Sequence, residues 1–93
     1  MTAPETPKTD AHVTIFATSW CPFCRRLRER LDRTETPYGV VDVEADEDAA
    51  AWVESVNGGN RVVPTVLYSD GTHETNPEAS AVRAKLRELT GEE

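Results

Sequence analysis

The segment Thr18-Ser19-Trp20-Cys21-Pro22-Phe23-Cys24 constrains this chain most, because two cysteines spaced C-x-x-C fall where strand chemistry gives way to helix chemistry. Upstream, Val13-Thr14-Ile15-Phe16-Ala17 is β-rich and closes on the polar pair Thr18-Ser19, which predicts a first strand feeding directly into the cysteines. Downstream, Cys24, Leu27 and Leu31 fall at i, i+3 and i+7, one apolar stripe of a helix, with Arg25, Arg26, Arg28, Arg30 and Arg33 around it. Pro22 is favoured at the first helical position, so Cys21 becomes the N-cap, beside unsatisfied amides and the positive end of the helix dipole. A thiolate is stabilised there. Cys24, one turn on, faces the helix interior. The two sulfurs can meet in a disulfide, and Cys21 is expected to be the one open to attack from solvent.

The rest of the chain alternates strand and helix. Pro37 stops the first helix, and residues 38–43 read as a second strand, expected to be central and buried. Asp46-Glu47-Asp48 loads the start of a second helix with the charge its dipole favours, and Ala49, Trp52, Val53 and Val56 form its apolar face. Asn57-Gly58-Gly59-Asn60 ends it. Residues 62–68 resume β character, and Ser69-Asp70-Gly71 signals a hairpin into a short strand over 72–75. Asn76 is expected as an N-cap with Pro77 at the first position of a third helix, whose stripe is Ala79, Val82, Leu86 and Leu89. The order β-α-β-α-β-β-α requires both a right-handed parallel crossover and an antiparallel hairpin. An α/β domain with a four-stranded mixed sheet flanked by three helices satisfies both. At 93 residues, one domain over 12–93 is expected, preceded by a disordered tail over 1–11.

Seventeen acidic residues against ten basic ones give a formal net charge of −7, which disfavours nucleic acid and anionic membranes as partners. No apolar run approaches the ~20 residues needed to span a bilayer. The first eleven residues lack the apolar core of a secretory signal, so a cytoplasmic location and a monomer are expected. In a reducing compartment a static disulfide is disfavoured. Three other readings of the pair compete with thiol–disulfide exchange: a structural disulfide, two unreactive core cysteines, and a zinc site. Zinc needs two further ligands, and the histidines, His12 and His73, lie far apart on β segments, so no metal is expected.

The other informative element is Val62-Val63-Pro64-Thr65, a proline opening a strand. Proline cannot donate to a sheet ladder, and a cis Val63-Pro64 bond with the Val63 backbone groups facing a bound partner is expected here. Trp20-Cys21-Pro22-Phe23-Cys24 together with Val63-Pro64-Thr65 resembles the glutaredoxin branch of the thioredoxin-like superfamily, over residues 13–90. The resemblance implies a thioredoxin-like fold and a thiol–disulfide oxidoreductase in which Cys21 is the nucleophile and Cys24 the resolving cysteine. Glutathione-dependent members carry a basic residue before the motif and a Gly-Gly-Asp-type element before the last helix. This sequence has Thr18-Ser19-Trp20 and His73-Glu74-Thr75-Asn76-Pro77 instead, which makes glutathione the less favoured co-substrate.

The segment from Ser55 to Val66, with Asp70-Gly71 and Thr75-Asn76-Pro77, is similar to the mycoredoxins of actinobacteria. That similarity implies mycothiol as co-substrate, no bound cofactor, and proteins in mixed disulfide with mycothiol as partners. The expected substrate-binding residues are Trp20, Phe23, Val63, Pro64, Thr75 and Asn76. Two alternatives remain: an electron donor to ribonucleotide reductase, whose C-[VM]-Q-C and W-S-G-F-R-P patterns are missing, and a thioredoxin-fold module that binds or senses without turnover.

Overall fold

A computed structural model of the chain describes residues 5–91; residues 1–4, the start of the expected tail, lie outside it. Residues 5–12 carry neither helix nor strand. Seven elements follow: β1 (Val13–Ala17), α1 (Pro22–Arg33), β2 (Gly39–Asp42), α2 (Glu47–Val56), β3 (Thr65–Tyr68), β4 (His73–Thr75) and α3 (Ala79–Thr90). The sheet order is β2-β1-β3-β4, with β1 parallel to β2 and antiparallel to β3, and β3 antiparallel to β4. The expected α/β fold, a four-stranded mixed sheet with three helices in the order β-α-β-α-β-β-α, is the one found. Among the described residues no helix is long and apolar enough to cross a membrane.

Every residue of β1 is buried because side chains alternate across a strand that has helices on both faces. Val13, Ile15 and Ala17 join Leu27, Leu31, Val66, Tyr68 and Val82 in the core under α1 and α3. Phe16 and Leu67 point the other way into the core of α2, where the Phe16 and Trp52 rings lie 5.0 Å apart. Asp46 caps α2 by accepting from the Ala49 amide at 3.0 Å, as the acidic start anticipates.

Two expectations fail. Residues 39–42 form an edge strand and not a central one, and Val40 is 43% exposed. The second inner position goes to β3, whose hairpin partner β4 occupies the opposite edge. The apolar run that read as a doubly covered strand divides its burial differently, with Val41 half-buried against α2 and Val43 buried just beyond the strand. The third helix starts at Ala79 with Glu78 as its cap, two residues later than Asn76 and Pro77 suggest. Asn76 adopts φ 48° and donates its amide to the Pro64 carbonyl at 2.8 Å, so it closes a turn against the neighbouring loop and is unavailable as a cap.

The β1–β3 register fixes where the cysteines lie. Phe16 pairs with Thr65, so the C-terminal end of β1 meets the N-terminal end of β3. The loop leaving β1 carries Cys21, the loop entering β3 carries Val63 and Pro64, and antiparallel pairing places them together.

Candidate active site

Cys21 is the N-cap of α1, with extended backbone (φ −79°, ψ 115°) and Pro22 at the first helical position. Its sulfur accepts the Cys24 amide at 3.1 Å, the capping hydrogen bond that serine or aspartate usually supplies. Its carbonyl takes the Arg25 amide at 3.1 Å. From the other side the Cys21 thiol donates to the Val63 carbonyl at 3.7 Å, and the Val63-Pro64 bond is cis, as the sequence led us to expect. Both cysteines are free thiols.

The pair is asymmetric. Burial, then the hydrogen bond to Cys21, pushes the Cys24 thiol up from 9.0 to about 12. Cys24 therefore keeps its proton, while Cys21 stands at the amide-rich start of α1 and accepts one of those amides. The expectation that Cys21 lies open to solvent needs correction: it is 4% exposed and Cys24 1%. Capping turns the Cys21 sulfur inward, between the Cys24 amide and the Val63 carbonyl, and the exposed groups are its neighbours, Trp20 at 64% and Phe23 at 56%.

The other predicted site residues assemble around this point. Pro64 is buried at the start of β3, with Val63 half-buried before it. Asn76 is bonded to Pro64 as described, and Thr75 pairs with Thr65 across the β3–β4 hairpin. The Thr75 hydroxyl is already committed, donating to Asn57 Oδ1 at 2.6 Å. Trp20 leans the opposite way and donates its indole N–H to Glu44 at 3.1 Å.

Sequence reasoning missed the bridging role of Asn57, read primarily as part of a helix stop. Its amide donates to the Val53 carbonyl at 2.8 Å and to the Thr65 hydroxyl at 3.2 Å, while Thr65 donates to the Val62 carbonyl at 2.8 Å. One side chain thus ties the end of α2, the loop bearing Val63, and the end of β4 together. Nothing in its spacing marks it, since all its partners come from tertiary structure. The Thr18 hydroxyl, buried without a hydrogen-bond partner, was also missed. Among the described residues no three His, Cys, Asp or Glu side chains group as a metal site requires.

Comparison with known proteins points to the same chemistry. The glutaredoxin family profile matches residues 13–74, from β1 through the start of β4. The chain is 58% identical over 79 residues to Mycoredoxin 1 of Corynebacterium glutamicum, covering 85% of this chain and 98% of that protein. It is 49% identical over 81 residues to a protein of Mycobacterium tuberculosis named as a glutaredoxin, covering 87% and 96%. Among solved structures, the fold is similar to a glutaredoxin of Archaeoglobus fulgidus (26% identity, TM-score 0.63, covering 84% and 88%). A wheat glutaredoxin shares the fold at 22% identity and a TM-score of 0.64, covering 86% and 79%. With its two thiols set at a helix N-terminus against a cis-proline loop, this chain belongs to the glutaredoxin family of thiol–disulfide oxidoreductases.

Proposed function

We propose that this oxidoreductase, acting in the cytoplasm as a monomer over residues 12–93, releases proteins from mixed disulfides with mycothiol. The observation that carries the reading is the position of Cys21, capping α1 and facing the Val63 carbonyl, in a chain 58% identical to Mycoredoxin 1. The Cys21 thiolate attacks the mycothiol sulfur of the mixed disulfide; a new S–S bond forms, the old one breaks, and the protein thiolate leaves and takes up a proton. A second mycothiol thiolate then attacks the sulfur bound to Cys21, restoring Cys21 and releasing mycothiol disulfide. If Cys24 attacks first, it gives up its proton, mycothiol leaves, and a Cys21–Cys24 disulfide remains for an external thiol to reduce.

Val63 presents its backbone to the incoming disulfide, Pro64 keeps that segment out of the sheet ladder, and Trp20 and Phe23 form the exposed rim. Thr75 and Asn76 border the co-substrate. Glutathione carries two carboxylates that need cationic partners, and the position before Cys21 holds Trp20 bonded to the carboxylate of Glu44. A neutral sugar conjugate makes no such demand. The test compares kcat/KM for mycothiol and glutathione mixed disulfides, each with its own recycling reductase. Higher efficiency with mycothiol is expected; equal or better turnover with glutathione overturns the choice of thiol.

A further inference from the structure

In the proposed reaction Val63 presents its backbone to the incoming disulfide, yet Val63 itself is hardly tethered. Among the described residues its amide donates to no backbone carbonyl, and its carbonyl receives only the Cys21 thiol. Its two neighbours are pinned instead. On one side the Asn76 amide holds the Pro64 carbonyl at 2.8 Å, and on the other the Thr65 hydroxyl reaches back to the Val62 carbonyl, also at 2.8 Å. A hydroxyl has one proton to give, and Thr65 is free to give it to Val62 because toward Asn57 it accepts, from Nδ2 at 3.2 Å. Asn57 is fixed in turn. Nδ2 also donates to the Val53 carbonyl at 2.8 Å, Oδ1 takes the Thr75 hydroxyl at 2.6 Å, and the Asn57 carbonyl takes the Asn60 amide at 3.2 Å. Thr65 is 0% exposed, so its hydroxyl is out of reach of solvent that would compete for these bonds.

We propose that Asn57 and Thr65 are positioning residues for the redox reaction: their relay to the Val62 carbonyl sets the Val63 backbone beside the Cys21 sulfur, so that a disulfide flanked by an amide is held in line for attack. The inference rests on the alignment by Val63 in the reading above and adds the side chains that enforce it. The direction of the relay matters. An aspartate at position 57 still accepts from Thr75 but has no proton for Thr65, and it draws the Thr65 proton away from Val62. A valine at position 65 keeps the shape of threonine and removes the middle of the relay, whereas a serine keeps it. Misplacing reacting groups by ~1 Å costs up to about 100-fold in rate. With the Pro64 anchor to Asn76 intact, breaking the relay alone is expected to cost about tenfold.

The experiment measures the second-order rate constant for oxidation of the reduced protein by two small disulfides, each divided by its rate with dithiothreitol to remove intrinsic reactivity. One is the disulfide of N-acetylcysteine methylamide, with an amide on either side of each sulfur; the other, bis(2-hydroxyethyl) disulfide, has none. Each takes two electrons from Cys21 and Cys24, leaving a protein disulfide and two free thiols. Wild-type protein is expected to favour the amide disulfide about tenfold. In T65V and in N57D that preference is expected to vanish, with the hydroxyethyl rate falling by less than about twofold, and T65S is expected to restore it. Thermal unfolding checks that each variant is folded, and N57D carries the comparison if T65V is not. A purely structural role would slow both disulfides together. Equal losses therefore overturn the proposal, as does an amide preference that survives in T65V or N57D, and in both cases the alignment by Val63 stands. If wild-type protein treats the two disulfides alike, that alignment falls and takes the relay with it.

Discussion

At the scale of single residues, the two cysteines have the same chemistry and different surroundings. Cys21 receives an amide hydrogen bond at a helix start, whereas Cys24 is buried one turn later and its thiol is held in the protonated form. Cys21→Ser therefore removes turnover of mixed disulfides altogether, since no other sulfur sits at the helix end. Cys24→Ser is expected to retain much of it, because external mycothiol resolves the intermediate. Steady-state kinetics on both folded variants checks this. Full activity of C21S, or complete loss in C24S, contradicts the assigned roles. The cysteine spacing and Pro22 were enough to place Cys21 as the cap, since capping is a local property of a few adjacent residues. Its burial was not legible, because the Val63 carbonyl that covers it arrives from 42 positions away.

Among the elements, Asn57 joins the greatest number of separate parts. Through Val53, Thr65 and Thr75 it links α2, the loop into β3, and β4, with every polar atom of its side chain used. Asn57→Ala leaves three partners without their bonds, and losses of this kind cost roughly 1–3 kcal/mol each where the group is buried. In a domain of this size, 1 kcal/mol lowers Tm by about 4–8 °C, so thermal unfolding should show a drop of at least several degrees. An unchanged Tm would mean that the network is not holding these elements. Local sequence pattern located all seven elements: apolar stripes the three helices, β-rich runs the first three strands, and the Ser69-Asp70-Gly71 turn the polar strand β4. It misplaced the start of α3, where the choice between N-cap and turn was decided by the Pro64 carbonyl competing for the Asn76 amide. It also assigned 39–42 to the sheet centre, since a run of valines records apolar neighbours without saying on how many sides they lie.

For the molecule as a whole, the raised thiol couples stability to pH. A group that binds its proton more tightly when folded stabilises the native state fully below its unfolded value, and this contribution is lost as pH rises toward the folded value. For Cys24 that window runs from 9.0 to about 12. Tyr68 adds an effect of the same sign, its hydroxyl pushed up by burial and by donating to Glu74 at 2.9 Å. The urea midpoint of the reduced protein should therefore fall steadily above pH 9, and Cys24→Ala should make the decline shallower. A midpoint that rises or stays level between pH 9 and 11 in the parent protein would contradict the sign.

The β1–β3 pairing that brings position 21 against position 63 has a consequence for biosynthesis. A chain emerging from the ribosome has both cysteines long before it has Val63, and at that stage β1 lacks the neighbour that later covers it. Local contacts form first and distant strand pairs last. From the addition of residue 24 until β4 has been made, the nascent polypeptide thus carries an unshielded dithiol, exposed to oxidants and to chance disulfides. Reactivity is confined to chosen partners only when the hairpin of β3 and β4 has been made and has docked.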